Sequence, residues 1–268
     1  MACKDPSITF LNRFGYNVVR LPRTGIEPMD LLGKDKSMEL LGKLSAVWKS
    51  TVAAPVPSAP QPAVDVQGKQ SDQLELSIGL KILANALKGF GASVPSLDFA
   101  FKKARKIQFT FTNVTSTSVA PLDAGNYLAG GDLNTTNPVV RRYLLDEDDT
   151  DAQAYLIFDV LKSDSLTVTA SAEHDADVKL DLPQIQAVVG VDVGVKTVGG
   201  SESTITFSGK DAVTFGFKVM QINFVNGRWN LEGAAPSGGL ALTVPAAGAV
   251  GGTVEQEPVL LGSGFIRL

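Results

Sequence analysis

Cysteine and histidine are almost missing from this sequence: Cys3 and His174 stand alone among 268 residues. One thiol cannot close an internal disulfide, and one thiol with one imidazole cannot complete a zinc site, which wants about four ligands. Long apolar runs are missing too. No uninterrupted stretch approaches the ~20 residues of a membrane-crossing helix. The nearest, Gly233–Gly252, is broken by glycine and proline and reads as an extended linker. Lys4, Asp5, Asn12 and Arg13 interrupt the beginning, which argues against a secretory signal. Nothing apolar precedes Cys3, so a lipoprotein signal fails as well. The expectation is a soluble cytosolic chain. Cys3 itself stays open: an idle thiol on a frayed terminus, or a lipid attachment point beside an amphipathic segment.

Catalytic constellations are equally scarce. A Ser–His–Asp arrangement would have to use His174, which lies in the polar, turn-like "AEHDAD". "GKDAVTFGF" lacks the preceding glycine and the Lys-Ser/Thr pair of a phosphate-binding loop. "DEDDTD" has the charge of a calcium loop without its spaced ligands, central glycine and closing glutamate. No aromatic–glycine RNA-binding signature is present. The sequence therefore predicts no catalytic residue, no metal site and no enzyme.

What is present is a chain with 44% hydrophobic residues, enough for a sizeable core, and a split distribution of charge. Up to Thr110 there are 15 Lys+Arg against 9 Asp+Glu; from Phe111 onward there are 9 against 19. The basic part contains "FKKARKIQF" (Phe101–Phe109) and the acidic part "LLDEDDTDAQ" (Leu144–Gln153). Such a split suggests an anionic partner for the basic part, a nucleic acid or a membrane surface, and charge alone does not choose.

Along the chain, Pro6–Arg13 reads as a short helix with Ile8, Leu11 and Phe14 on one side, and Tyr16–Pro22 as a short strand. Met29–Trp48 has helix-compatible apolar spacing. Ala53–Ala63 is proline-rich and should be an exposed excursion. Ser71–Gly91 repeats Leu76, Leu80, Leu83, Leu87 and Phe90 at three- and four-residue steps, the mark of an amphipathic helix. Then the period changes. Lys106–Val114 alternates strictly, and from Ala154 onward the chain is mostly strand-like. Strands are expected at Leu166–Leu182 and Val188–Val198, and Gly209-Lys210-Asp211 is expected to turn a hairpin. Polar faces rich in Thr and Ser fit either ordinary half-exposed sheet or strands able to cross a membrane, which need ~10 residues of apolar/polar alternation. Early helices and late antiparallel strands predict an α+β fold.

Several segments resemble the bacterial gasdermins, short relatives of the animal pore-forming proteins. They are the opening "MACKDPSITFLNRFGYNVVRLPRTGIEPMDLL", then "AYLIFDVLKSDSLTV", then "STITFSGKDAVTFGFKVMQINF". The resemblance spans nearly the whole chain. It implies a twisted, mainly antiparallel central sheet with peripheral helices, like a gasdermin N-terminal domain, and a short C-terminal inhibitory tail. It implies three regions: a pore-forming body at 1–232, a protease-sensitive linker at 233–252 and an autoinhibitory peptide at 253–268. It implies a monomer in the cytoplasm that a partner protease activates. The body then forms a homo-oligomeric β-barrel in the bacterial inner membrane and kills the cell, in anti-phage defence, with no nucleic-acid partner. Cys3 would carry a palmitoyl group, the only non-protein group implied. Lys102, Lys103, Arg105 and Lys106 would meet anionic headgroups, at ~1 kcal/mol per cation near the surface. The membrane-spanning hairpins would map to roughly Ser71–Val114 and Tyr155–Val198.

The tail also speaks from its residues. "EPVLLGSGFIRL" is dense in large apolar groups, and docking Val259, Leu260, Leu261, Phe265 and Ile266 at ~1.5–3 kcal/mol each could offset its ordering cost. A final edge strand without regulatory meaning is the alternative. The tether lacks Lys, Arg and Asp, and offers Leu240, Ala241, Leu242, Val244, Ala246 and Ala247 to a protease. That predicts an elastase-like or subtilisin-like cut between Leu240 and Val250. The competing class is a non-enzymatic β-rich binding or structural protein whose basic patch holds nucleic acid or an acidic partner.

Overall fold

The computed structural model describes residues 11, 14–35, 38–71, 73–92, 97–145, 152–172, 176, 178–225, 228–233 and 241–242. Two long strands form its spine: β10 (Gln153–Ser171) and β12 (Ser201–Val225), antiparallel along most of their length. Everything else is hung on their outer edges in three tiers. At one end β2 (Asp30–Lys34) pairs with the start of β10 and with β3 (Met38–Lys43), while β13 (Arg228–Gly233) pairs with the end of β12. In the middle tier β8 (Thr115–Ser118) lies beside β10, and β1 (Asn17–Arg23) beside β12. At the other end β7 (Lys106–Thr112) pairs with β10, and β11 (Gly194–Val198) with β12. Short strands complete the edges: β5 (Gln61–Pro62) on β8, β6 (Leu74–Glu75) on β7 and β14 (Ala241–Leu242) parallel to β1. A separate ribbon joins β4 (Trp48–Ser50) to β9 (Gly131–Leu133).

The helices lie around this sheet. α1 (Leu76–Gly89) buries Leu83, Leu87 and the following Phe90 against Ile107, Phe109, Val168, Ile205 and Phe207 of the end tier. α2 (Pro121–Ala129) and α3 (Pro138–Tyr143) cover the opposite end, where Tyr127, Leu128 and Val140 pack with Trp48, Leu156 and Ile222. α4 (Leu182–Val189) contributes Ile185 and Val189 to the same cluster as α1. The expected α+β class with a twisted, mainly antiparallel sheet is the observed one. Among the described residues no helix is long and apolar enough to cross a membrane, which leaves crossing by strands open.

Four expectations are corrected. Met29–Trp48 is a hairpin, β2 and β3, followed by a 3-10 turn at Leu44–Ala46 and then β4. Asp30–Gly33 is buried on both faces, and a run apolar on both sides looks the same as helix by periodicity alone. Leu166–Leu182 is not one strand, because β10 ends at Ser171. Val188 and Val189 belong to α4, so β11 begins only at Gly194. Asp181 accepts from the backbone N–H of Gln184 at 3.1 Å, and Pro183 sits in the first turn; both are helix-start signals that the alternation of valines obscured. Gly209-Lys210-Asp211 makes no hairpin turn. β12 runs through it, with residues 209–212 bulging between the paired Ser208 and Val213. Gly209 is needed there for another reason: a Cβ would lie 2.7 Å from the Phe90 ring. The true turn into β12 is Gly199-Gly200, with φ of +60° and +76°, the left-handed pair that a two-residue hairpin requires.

The Tyr16–Pro22 strand appears as β1, the amphipathic helix of Ser71–Gly91 as α1, and the alternating Lys106–Val114 as β7. The Ala53–Ala63 segment is mostly exposed, with only Gln61–Pro62 paired. The predicted first helix lies outside the described residues except for Leu11, which is buried.

Candidate functional site

The end tier, β7-β10-β12-β11, is four strands wide and has two chemically distinct faces. Register sets them. Phe111, Leu166, Phe207 and Val195 stand in one cross-strand row, and Phe109, Val168 and Ile205 in the next, all towards α1 and α4. The intervening rows point the other way. They are Thr112–Ser165–Ser208–Gly194, Thr110–Thr167–Thr206–Lys196 and Gln108–Thr169–Thr204. Hydroxyls bond across the strands: Thr112 Oγ1 donates to Ser165 Oγ at 2.8 Å, and the Thr167 and Thr206 hydroxyls are 2.7 Å apart. The Thr169 and Thr204 hydroxyls lie 3.3 Å apart. β-branched threonines suit strands, and paired hydroxyls support the ladder from its wet side. Among the described residues nothing pairs with the outer edge of β11, whereas β6 and the Gln70–Thr110 bridge cover the outer edge of β7.

The predicted basic cluster divides. Phe101 and Ala104 are fully buried and anchor the segment, which turns Lys102 and Lys103 outward. These two lysines open onto a groove of about 550 Å³ shared with Phe99, Lys179, Asp181 and Glu202. The groove is of mixed sign: Lys179 Nζ is 2.6 Å from Glu202 Oε1, and that hydrogen bond raises the lysine's pKa. Phe99 is half exposed beside the lysines. Arg105 is exposed, its N–H donating to the Ser171 carbonyl at 2.8 Å. Lys106, at the start of β7, belongs to the hydroxyl face, opposite Ser171.

Sequence reasoning missed the polar hub of the middle tier. Asp159, nearly buried on β10, accepts from Tyr16 Oη at 2.7 Å and from Ser116 Oγ at 2.6 Å. Lys218 Nζ lies 3.7 Å from the same carboxylate and 4.2 Å above the Tyr16 ring. Burial, and then the hydrogen bond to Asp159, raise the Tyr16 pKa far above its ordinary value of 10.0. Leu11, Tyr16, Leu161 and Phe215 pack together beside this hub, so the N-terminal segment is held onto both spine strands. A charged residue inside an apolar run of β10 was the available signal.

Cys3, the tail residues Val259, Leu260, Leu261, Phe265 and Ile266, and Leu240, Val244, Ala246 and Ala247 lie outside the described residues. Ala241 and Leu242 do not stay out of regular structure as expected: they pair with Val18 and Val19 on the free edge of β1. An unpaired strand edge accepts any extended segment able to reach it. The acidic run Asp146–Asp151 and His174 also lie outside the described residues.

Fold and face together define an α+β protein organised around long, two-faced strands. The sequence profile of the Bacterial Gasdermin Family matches residues 19–231. The chain is 37% identical to the gasdermin bGSDM of Vitiosangium sp. (strain GDMCC 1.1324), over 98% of this chain and 96% of that one. It is 32% identical to the gasdermin bGSDM of Lysobacter enzymogenes, over 96% and 93% respectively. Its fold superposes on the structure of a bacterial gasdermin from Bradyrhizobium tropiciagri with a TM-score of 0.62 at 17% identity, covering 90% of this chain and 96% of that one. The chain belongs to the bacterial gasdermin family, a family of pore-forming rather than enzymatic proteins.

Proposed function

We propose that this chain is an autoinhibited pore-former. A protease removes the segment after the 233–252 linker, and residues 1–232 then assemble in the cell inner membrane as a large β-barrel pore. The outcome is cell death, in the setting of anti-phage defence. Before cleavage the protein is a cytoplasmic monomer. The observation that carries this reading is the two-faced end tier, in a chain of this family.

The physics of insertion follows from that face. A bilayer-crossing strand needs ~9–11 residues with alternating apolar and polar side chains. β10 from Ser163 to Ser171 and β12 from Ser201 to Ser208 already alternate, with the apolar side chains under α1 and α4. Lipid can replace the two helices against that face without any strand rotating. A single four-stranded sheet cannot stay in lipid, because unsatisfied edge N–H and C=O groups each cost several kcal/mol there. The open edge of β11, and that of β7 once β6 leaves, therefore require a neighbour, and identical subunits supply it. Lys102, Lys103, Arg105 and Lys106 are the residues for anionic headgroups. A palmitoyl chain on Cys3 gives marginal, reversible membrane binding, which suits priming better than permanent anchorage.

The test is release of a trapped dye from phosphatidylglycerol-containing vesicles. Full-length protein is added before and after treatment with trypsin, elastase or subtilisin, and the cuts are mapped by mass. Release after elastase or subtilisin cuts between Leu240 and Val250 supports the reading. Release only on trypsin cleavage at Arg228 removes the assignment of the cleavage region. Salt-sensitive nucleic-acid binding without release by any cut form selects the binding-protein alternative.

A further inference from the structure

We propose that Lys196 sets the charge selectivity of the assembled pore, an inference that rests on the pore-forming reading above. The apolar face of the end tier is the one that meets lipid, since a lysine there costs ~2–4 kcal/mol at the bilayer midplane. The opposite face is wet in the folded protein and stays wet as the wall of the lumen. Its three central rows hold Thr112, Ser165 and Ser208; Thr110, Thr167 and Thr206; Gln108, Thr169 and Thr204. None of these side chains carries a fixed charge. Lys196, on exposed β11 opposite Thr206, is the one ionised group in those rows. Lys106 stands a row further out, at the strand end opposite Ser171. Glu202 lies beyond the rows at the other end of β12 and is engaged by Lys179.

Repeated once per subunit, Lys196 becomes a ring of cations on an otherwise neutral hydroxyl wall. A fixed ring of one sign concentrates counter-ions beside it. Its reach is the Debye length, ~10 Å at 0.1 M salt and ~30 Å at 0.01 M. The lumen therefore favours anions, and the preference grows as salt falls.

The experiment measures reversal potentials in planar bilayers between about 10 mM and about 100 mM KCl, the range over which screening changes most. Full-length protein is cut by elastase and checked by mass. Parent, Lys196→Thr and Lys196→Glu are compared with Lys49→Gln, an equal charge change on exposed β4 away from the end tier. The parent and Lys49→Gln should share a reversal potential displaced towards that of chloride. Lys196→Thr should bring it towards zero, and Lys196→Glu should carry it to the potassium side. Threonine continues the hydroxyl rows and is a good strand former, so if the glutamate variant does not assemble, the threonine variant decides. Conducting pores with the same reversal potential in the parent and the Lys196 variants overturn the assignment and leave the pore reading standing. Absence of conductance from correctly cut parent protein overturns the pore reading and this inference with it.

Discussion

Three groups converge on the Asp159 carboxylate: the Tyr16 and Ser116 hydroxyls donate to it, and Lys218 stands 3.7 Å away. A hydrogen bond to a charged acceptor contributes ~1.5–3 kcal/mol, so Tyr16→Phe should lower the urea-derived stability at neutral pH by about that amount. The pH dependence has a defined sign. Tyr16 holds its proton more tightly folded than unfolded, so its contribution is fully present below pH 10.0 and is lost as pH rises through the raised folded value. The parent should lose stability above pH 10, and Tyr16→Phe should lose less over the same interval; urea titrations at pH 9 to 12 read the difference. Parallel curves would show that Tyr16 does not titrate as described. A second residue-scale prediction concerns Cys3, the lone thiol beside Ile8, Leu11 and Phe14. It should carry a hydroxylamine-sensitive acyl group, and Cys3→Ala should weaken killing while leaving thermal unfolding unchanged. A Cys3→Ala protein as toxic as the parent removes the functional half of that claim.

At the scale of elements, the contact of α1 with the sheet decides how firmly the apolar face is covered. Its last residue, Gly89, sits so close to β1 that a Cβ would lie 2.2 Å from the Pro22 carbonyl oxygen and 3.0 Å from Val213 Cγ1. Alanine in place of glycine favours a helix by ~1 kcal/mol, but overpacking against backbone costs ~1–3 kcal/mol. The overlap is with a carbonyl that cannot rotate away, so the clash should win. Gly89→Ala is therefore expected to lower the unfolding midpoint and to speed dye release after tail cleavage, because α1 then leaves its seat more easily. An unchanged midpoint would mean that the helix end shifts freely. α1 itself was legible from its leucine spacing and β7 from its alternation. The β2–β3 hairpin was not, since residues buried on both faces lose the period that marks a strand. α4 was hidden by valines whose alternation mimicked a strand, although Asp181 and Pro183 announced it.

For the molecule as a whole, what matters is that β1 carries a partner from beyond the family-matched region: Ala241–Leu242 on its outer edge. Truncation after Thr243 keeps that strand and removes the apolar terminus Glu257–Leu268. The truncated chain should be toxic on expression and the full-length chain tolerated, with growth curves as the readout. A truncated chain shown to be folded yet harmless would count decisively against inhibition by the tail.

The sequence by itself determined the chemistry this molecule excludes, because a metal cluster or triad needs residue types that are scarcely present. It also determined the two-faced strands, because a period of two is written into consecutive residues such as Ile107, Gln108, Phe109 and Thr110. Tertiary structure alone decided which rows those residues form. Cross-strand register is fixed by packing over long sequence separations: Thr110 meets Thr167, Thr167 meets Thr206, and Thr206 meets Lys196. The hub at Asp159 is likewise a tertiary product, since its partners Tyr16, Ser116 and Lys218 come from three separate strands or their flanks. Local pattern encodes which side of a strand is apolar, whereas the identity of each neighbour depends on burying that side once, in one register.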